Sequence, residues 1–300
     1  MDIYVSASVK EQLDEAARLD REGKHDEAIP IYQQLCYGPD AAGLDAISRD
    51  FVLGQLIGSL RSGGWPEEAL DVYAEALPQL APCDAPFDAI YANGLRRSNS
   101  SPYPFRRRER FYQLTRFLQR TQGVAGDVVE CGTGRGLSSL LLCAYLRIES
   151  ATFNGDGFHV FDSFEGLSEP LPEDAIPADH PDAVQLHLMM RPGHFSASRK
   201  YVQKVLAKYP EISFWQGWLP DSLQDQPERR YRFVHVDVDL YAPTLGVLQY
   251  FHPRLAPGGL IVSDDFNWPG AAKAIAEFAS AIGVKPQINE YGQACIGASC

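Results

Sequence analysis

The chain has 300 residues, 45% hydrophobic and 22% charged, with a formal net charge of −12. That length suits about two domains, and the composition excludes wholesale disorder and any collagen-like or heptad-repeat fibre. A chain this acidic is a poor general binder of nucleic acid or anionic membrane, both of which need clustered Lys and Arg.

The N-terminus, Met1-Asp2-Ile3-Tyr4, carries no basic stretch followed by an apolar one, so no secretory signal is expected. The most apolar stretch, Leu137 to Ile148, is broken by Ser138, Ser139 and Arg147 and is too short to span a bilayer. Cys36, Cys83, Cys131, Cys143, Cys295 and Cys300 form no CxxC pair, so neither a disulfide framework nor a zinc site is expected, and the setting reads as cytoplasmic and reduced.

The first eighty residues read as helices. Leu13, Ala16, Ala17 and Leu19 mark one amphipathic helix, and His25 to Leu35 a second after Gly23-Lys24. Gly23 to Leu35 recurs in outline as Gly64 to Ala76: Gly, Glu-Ala a few residues on, then Tyr four later. This resembles tetratricopeptide repeats, where small residues let antiparallel helices close-pack. Two repeats are too few to stand alone, so packing on the rest of the chain or on a second copy, as a homo-oligomer, is expected. Ala81 to Pro104, rich in Pro, Ser and Asn, reads as a linker. A helix follows at Arg107 to Gln119, and the basic run Arg106-Arg107-Arg108-Glu109-Arg110 reads as its solvated start.

From there strands alternate with helices. Strands are predicted at Gly126–Cys131, Gly157–Phe161, Ile212–Trp215, Arg232–Val236 and Gly259–Ser263. Helices are predicted at Leu137–Leu146, Ala197–Tyr209, Thr244–Leu255 and Ala271–Ile282. This order predicts an α/β fold, a doubly wound parallel sheet, closed by an antiparallel hairpin from Lys285–Glu290 and Ala294–Gly297. The domains expected are a helical region at 1–82, a linker and lid helix at 83–122, and the α/β domain at 123–300. Ser163 to His194, with five prolines, is an insertion too long for a plain connection.

Glu130-Cys131-Gly132-Thr133-Gly134-Arg135-Gly136 ends the first strand and opens the next helix, and its alternate glycines let backbone approach a ligand closely. The spacing is neither the dinucleotide G-x-G-x-x-G nor a P-loop. Asp162 ends the second strand, where a carboxylate accepts hydrogen bonds from a ribose; a turn Asp is the plainer alternative. Trp218, beside Gly217 after the third strand, either covers an adenine face or fills core. Asp237 follows the fourth strand, and Asp264 and Asp265 the fifth. If these strands are neighbours, about 5 Å apart, the carboxylates converge and repel without a cation; oxygen ligands of this kind suit Mg²⁺, the plainer alternative being that Asp264-Asp265 cap a turn. His235, alternating with valines, reads as a satisfied core histidine. His187 and His194 carry no metal-site spacing.

Together these segments resemble the macrocin O-methyltransferase family. The resemblance lies in Gly126–Gly132, Phe161–Leu167, Gly217–Leu223, His235–Tyr241, Tyr250–Leu255, Gly258-Gly259 and Asp264-Asp265-Phe266, and covers about residues 100 to 300. It implies a seven-stranded Rossmann-like methyltransferase sheet, S-adenosylmethionine as cofactor, Mg²⁺, and methylation of a hydroxyl on a small molecule, often a sugar of a natural product. It further implies Glu130, Cys131, Gly132, Thr133, Gly134 and Gly136 at the methionine end of the cofactor and Asp162 at its ribose, with Ser163, Gly217 and Trp218 also cofactor-binding. Asp237, Asp264 and Asp265 would hold the metal, and Asp239 would be the general base. Leu240 stands where related catechol methyltransferases carry Lys, which favours Asp239 as base. Val238 stands where the sugar enzymes tend to have Gly. The alternatives are a non-catalytic interaction protein working through its helical repeats, a methyltransferase for a catechol-like or non-oxygen acceptor, and a nucleotide-dependent oxidoreductase.

Overall fold

The structure is a computed structural model that describes residues 6–44, 46–80, 84–102, 106–178, 180, 183–224 and 226–297. Met1–Tyr4, Ala81–Cys83, Tyr103–Phe105, Pro181 and Cys300 lie outside them. The chain divides into two compact units, Met1–Glu109 and Arg110–Cys300.

The first unit is built of α1 (Ala7–Arg21), α2 (His25–Tyr37), α3 (Ala46–Ser62), α4 (Pro66–Leu80) and α5 (Ala85–Ser98). Ser6 caps α1 by accepting from the Val9 amide, and Val9, Leu13, Ala16 and Leu19 form its buried face at helical spacing. Helices α1 to α4 pack each on the next. The two matched sequence segments fall on α2 and α4, where Ala28 and Tyr32 on one and Ala69 and Tyr73 on the other are buried.

The expected linker is largely a helix. Asp84 caps α5 by accepting from the Phe87 amide, Pro86 sits in its first turn, and Asn99 closes it in the left-handed region at φ 44°. The residues that read as loop formers are the helix's caps, and Phe87, Tyr91 and Leu95 form its buried face. The expected solvated start of α6 (Arg106–Arg120) is also corrected. Arg108 is buried, its Nε donating to Asp88 Oδ1 at 2.7 Å with its guanidinium 5.1 Å from the Phe87 ring centre. A basic run binds inward when carboxylates and rings face it, which the run itself does not reveal.

The second unit holds a seven-stranded sheet. Its strands are β1 (Asp127–Cys131), β2 (Phe158–Asp162), β3 (Ser213–Gln216), β4 (Tyr231–Val236), β5 (Leu255–Ser263), β6 (Gln287–Ile288) and β7 (Ala294–Gly297), in the order β3-β2-β1-β4-β5-β7-β6. The first five strands are parallel and β7 runs antiparallel to β5 and β6. Every residue of β4 is buried, as befits a central parallel strand covered on both faces. Val129, Val234 and Ile261 of the sheet pack with Val247, Leu248 and Phe251 of α10 (Tyr241–Phe251) and with Ile275 and Phe278 of α11 (Pro269–Ala281). Helix α10 ends earlier than predicted because Pro253 cannot donate to its ladder, and β5 begins at Leu255. The helix predicted over 197–209 is shorter, α9 spanning Arg199–Val205, while α7 spans Leu137–Glu149. Cys36, Cys131 and Cys143 are free and buried. Cys295 is disulfide-bonded, which corrects the expectation of a wholly reduced set of cysteines; chain spacing does not say which sulfurs the fold brings together. Among the described residues no helix is long and apolar enough to cross a membrane.

The chain passes from β1 through β2 and β3 on one side, then returns to lay β4 on the other. The carboxyl ends of β1 and β4 therefore form a topological switch point, where open α/β sheets hold their ligands. The insertion is anchored beside that edge. Its short helix α8 (Ala183–Met189) sets Leu186 against Trp268 and Ala271, with Ile176, Met189 and Met190 around them. Buried Asp174 accepts from the Leu171 amide at 2.9 Å and from the Tyr241 amide, first in α10, at 2.7 Å. A carboxylate at a helix N-terminus meets an orphan donor and a favourable dipole. Gly270 makes room for it: a Cβ there would lie 1.9 Å from Asp174 Oδ1. Asp174→Ala is expected to destabilise the second unit by about 2 kcal/mol, the net worth of a buried charge-assisted hydrogen bond, measured as a lower urea midpoint.

Candidate active site

The glycine loop leaves β1 between the ends of β2 and β4. The Gly132 amide donates to the Phe161 carbonyl at 2.8 Å, and the Asp237 amide to the Cys131 carbonyl at 2.9 Å. Gly132 has φ +82°, and a Cβ there would lie 1.8 Å from the Asp237 carbonyl oxygen. Only glycine fits. At Gly134, φ +48°, a Cβ would meet nothing within 4 Å, so this part of the loop borders open space. Gly136, φ +85°, turns the chain into α7 against Val202 and Val205.

Asp162 organises this loop. Its Oδ2 accepts from the amides of Thr133 at 2.7 Å and Gly134 at 3.3 Å, and its Oδ1 from Phe164 at 2.6 Å. Burial pushes its carboxyl up against the pull of those three amides. Ser163 closes its own turn: its Oγ accepts from the Glu165 amide and donates to the Gly166 carbonyl, both at 3.0 Å. Gly217, φ +154°, donates to the Asp162 carbonyl at 3.0 Å. Trp218 beside it is 40% exposed, which decides against its filling core. Glu130 is fully buried, with its oxygens on Ser139 Oγ and, at 2.8 Å, His235 Nδ1, so it faces other side chains rather than the open space. His187 and His194 are both exposed.

The aspartates divide into two arrangements. Carboxylate oxygens of Asp237, Asp239 and Asp265 lie within 4.8 Å of one another, and so do ligand atoms of His235, Asp237 and Asp264. Asp265 Oδ2 accepts from the amides of Val238 and Asp239, each at 2.9 Å, and holds Asp239 in a left-handed turn at φ 61°. Asp265 Oδ1 is buried with no hydrogen-bond partner. Burial, then neighbouring carboxylates, push Asp265 well up and Asp237 up; burial and Asp237 push Asp239 up to about 8. Asp264 behaves oppositely. Burial works against its charge, but Arg110 Nε at 3.2 Å, His235 and the Gln293 amide at 2.8 Å together hold it down at about 2. Gln293 also donates to the Arg110 carbonyl at 3.0 Å, which fastens α6 to the site. Thus Arg110 and His235 pair directly with Asp264 and Glu130, while among the described residues Asp237, Asp239 and Asp265 have no cation within ion-pair distance and feel Arg110 only through space. An orphaned, buried carboxylate oxygen beside two uncompensated carboxylates fits a hard divalent cation.

Gln293 and Ser139 belong to the site and are absent from the sequence expectation, which has Arg110 only as part of a covering segment and His235 only as core. His235 is the buried, hydrogen-bonded histidine expected, and the structure adds that it lies between two carboxylates, which drive its pKa well above the usual range against the effect of burial. Register carries the signal, since β1 and β4 pair Glu130 directly with His235.

Structures of known proteins share the fold. The O-methyltransferase NovP is 23% identical with a TM-score of 0.52, covering 63% of this chain and 78% of that one. A calicheamicin methyltransferase is 16% identical with a TM-score of 0.53, covering 74% and 96%. The second unit thus has the α/β methyltransferase fold with a seven-stranded mixed sheet. Residues 99–297 match the macrocin O-methyltransferase (TylF) family, and the chain belongs to that family. It is 31% identical over 173 residues to the 8-demethyl-8-(2,3-dimethoxy-α-L-rhamnosyl)-tetracenomycin-C 4′-O-methyltransferase of Streptomyces olivaceus, covering 56% of this chain and 63% of that protein. It is also 31% identical over 176 residues to the mycinamicin III 3″-O-methyltransferase of Micromonospora griseorubida, covering 56% and 66%. The chain therefore spans just under two thirds of these relatives' length.

Gly132→Ala is expected to lower stability by more than the roughly 1–2 kcal/mol of a left-handed backbone, because the added methyl must also displace the Asp237 carbonyl. Gly134→Ala meets only the backbone cost. Comparing the two urea midpoints tests the close approach; equal losses would contradict it.

Proposed function

We propose that this protein transfers a methyl group from S-adenosylmethionine to a hydroxyl of a sugar or other polyhydroxylated natural product, assisted by Mg²⁺. The observation that carries the reading is adjacency: the glycine loop and the uncompensated carboxylates share one edge of the sheet, with Gly132 pressed against Asp237. Family membership supports the methyl donor, and the rhamnosyl group in one relative's name supports a sugar acceptor.

In this reading the loop from Glu130 to Gly136 holds the methionine end of the donor, Glu130 acting through Ser139 and His235. Asp162 and Ser163 shape the ribose site, Asp162 offering the lone pairs its amide partners leave open. Gly217 and the exposed ring of Trp218 lie where an adenine would stack. Asp237 and Asp265 hold the cation, with Asp264 shared between it and Arg110. When bound, the donor supplies a sulfonium methyl and the cation an oriented, acidified acceptor hydroxyl. Asp239, pinned by Asp265 and turned by its left-handed backbone, takes the hydroxyl proton. The site's main work is to bring two reactants into line, since methyl transfer discharges the sulfonium and leaves no oxyanion to stabilise. The insertion roofs the site and excludes water. The N-terminal helices serve as a tetratricopeptide-like cap through which copies of the chain associate, and the enzyme works in the cytoplasm.

Calorimetry is expected to show binding of S-adenosylhomocysteine and none of NAD; binding of NAD alone would overturn the cofactor. Asp239→Asn is expected to keep cofactor binding and lose turnover by about 10²–10⁴-fold, the usual worth of a general base. Near-normal turnover in that variant would reassign the proton acceptor. Full activity in EDTA would remove the cation from the reaction.

A further inference from the structure

A line of buried polar side chains runs under the carboxyl edge of the sheet from the glycine loop to Asp264. Thr133 Oγ1 lies 2.8 Å from Ser139 Oγ. Ser139 Oγ contacts Glu130 Oε2, and Glu130 Oε1 lies 2.8 Å from His235 Nδ1. His235 Nε2 faces Asp264 Oδ1 at 3.4 Å. All five side chains are buried. Ser139 has one hydroxyl proton and the Glu130 carboxylate takes it, so Thr133 must donate to Ser139. Each link thereby fixes the next. The line crosses adjacent strands because register sets Glu130 of β1 beside His235 of β4, and His235 beside Val262 of β5, two residues before Asp264.

We propose that His235 is a positioning residue that couples the glycine loop to the acidic centre, so that donor and cation each tighten the other's binding. The inference rests on the reading that the donor occupies the loop and the cation the carboxylates. Its physical basis is that buried polar groups in a low dielectric must be satisfied together, so a shift in one is costly unless its partners follow. The His235–Asp264 contact is the long link, at ion-pair rather than well-formed hydrogen-bond distance. It is therefore the joint that closes or opens when Asp264 moves toward a cation. Ser139, at the other end, senses the loop through Thr133. Coupling of this kind is reciprocal.

The test is calorimetric titration of S-adenosylhomocysteine with and without saturating Mg²⁺, alongside direct Mn²⁺ binding followed by electron paramagnetic resonance. Wild type is compared with His235→Gln, which keeps a donor toward Asp264 and loses the one toward Glu130, and with Ser139→Ala. In wild type Mg²⁺ is expected to tighten S-adenosylhomocysteine by about fivefold or more. In both variants the factor falls toward one while each ligand still binds. A merely structural role would weaken both ligands and leave the factor intact; that result, or uncoupled binding in wild type, overturns the proposal. Wild type that binds no Mn²⁺ would overturn the cation reading and the coupling with it, and the resonance signal separates that case from uncoupled binding. Melting temperatures identify a variant that does not fold; Ser139→Ala then decides.

Discussion

At the carboxyl edge of the central sheet, four aspartates and a glutamate gather, with Glu130, Asp264 and Asp265 buried and Asp237 and Asp239 half-buried. Carboxylates in such a place repel one another and resist ionisation unless something positive or hydrogen-bonding answers them. The protein answers only some. Arg110, His235 and Gln293 converge on Asp264 and keep it ionised, while the remaining bond of His235 keeps Glu130 in place. Asp265 receives two backbone amides, and the charge of Arg110 reaches Asp237 and Asp239 only from beyond ion-pair distance. The imbalance selects the chemistry: Asp237, Asp239 and Asp265 hold a place for a cation, and Asp264 stands between that place and its own partners.

This arrangement depends on topology more than on any single residue. The switch between β1 and β4 puts the glycine loop and Asp237 back to back, with no room for a Cβ between them. Gly132 is thus a packing requirement, while Gly134 borders the open space where a ligand approaches. Asp162 secures the loop from the other side by gathering three backbone amides. The residue expected to bind ribose is first the residue that shapes the loop.

The insertion after β2 is tied down at the same edge. Asp174 reaches across to the first amide of α10, two residues after Asp239, and Leu186 packs on Trp268 beside α11. A segment that looks like a free loop by composition is held by one charged hydrogen bond and a small apolar cluster.

Much of this was written locally. Alternating apolar strands and amphipathic helices carry the doubly wound order, because burial on a sheet face or helix stripe is a periodic property. Gly132, Gly134 and Gly136 stand after a strand, and Asp237, Asp264 and Asp265 stand at strand ends, so the place of a ligand and of an acidic centre followed from position in the chain. The caps of α5 were equally local but shared their residue types with loops, and Pro86 and Asn99 read either way. What only the tertiary structure decided is partnership across the sheet. His235 looks like any histidine among valines until register sets it beside Glu130. Arg110 looks solvated until Gln293 and Asp264 face it. Asp264 and Asp265 are neighbours in sequence, yet one is held ionised and the other keeps a bare oxygen. Charge compensation is set by distances of a few ångströms between strands far apart in the chain, and no pattern along the chain encodes them.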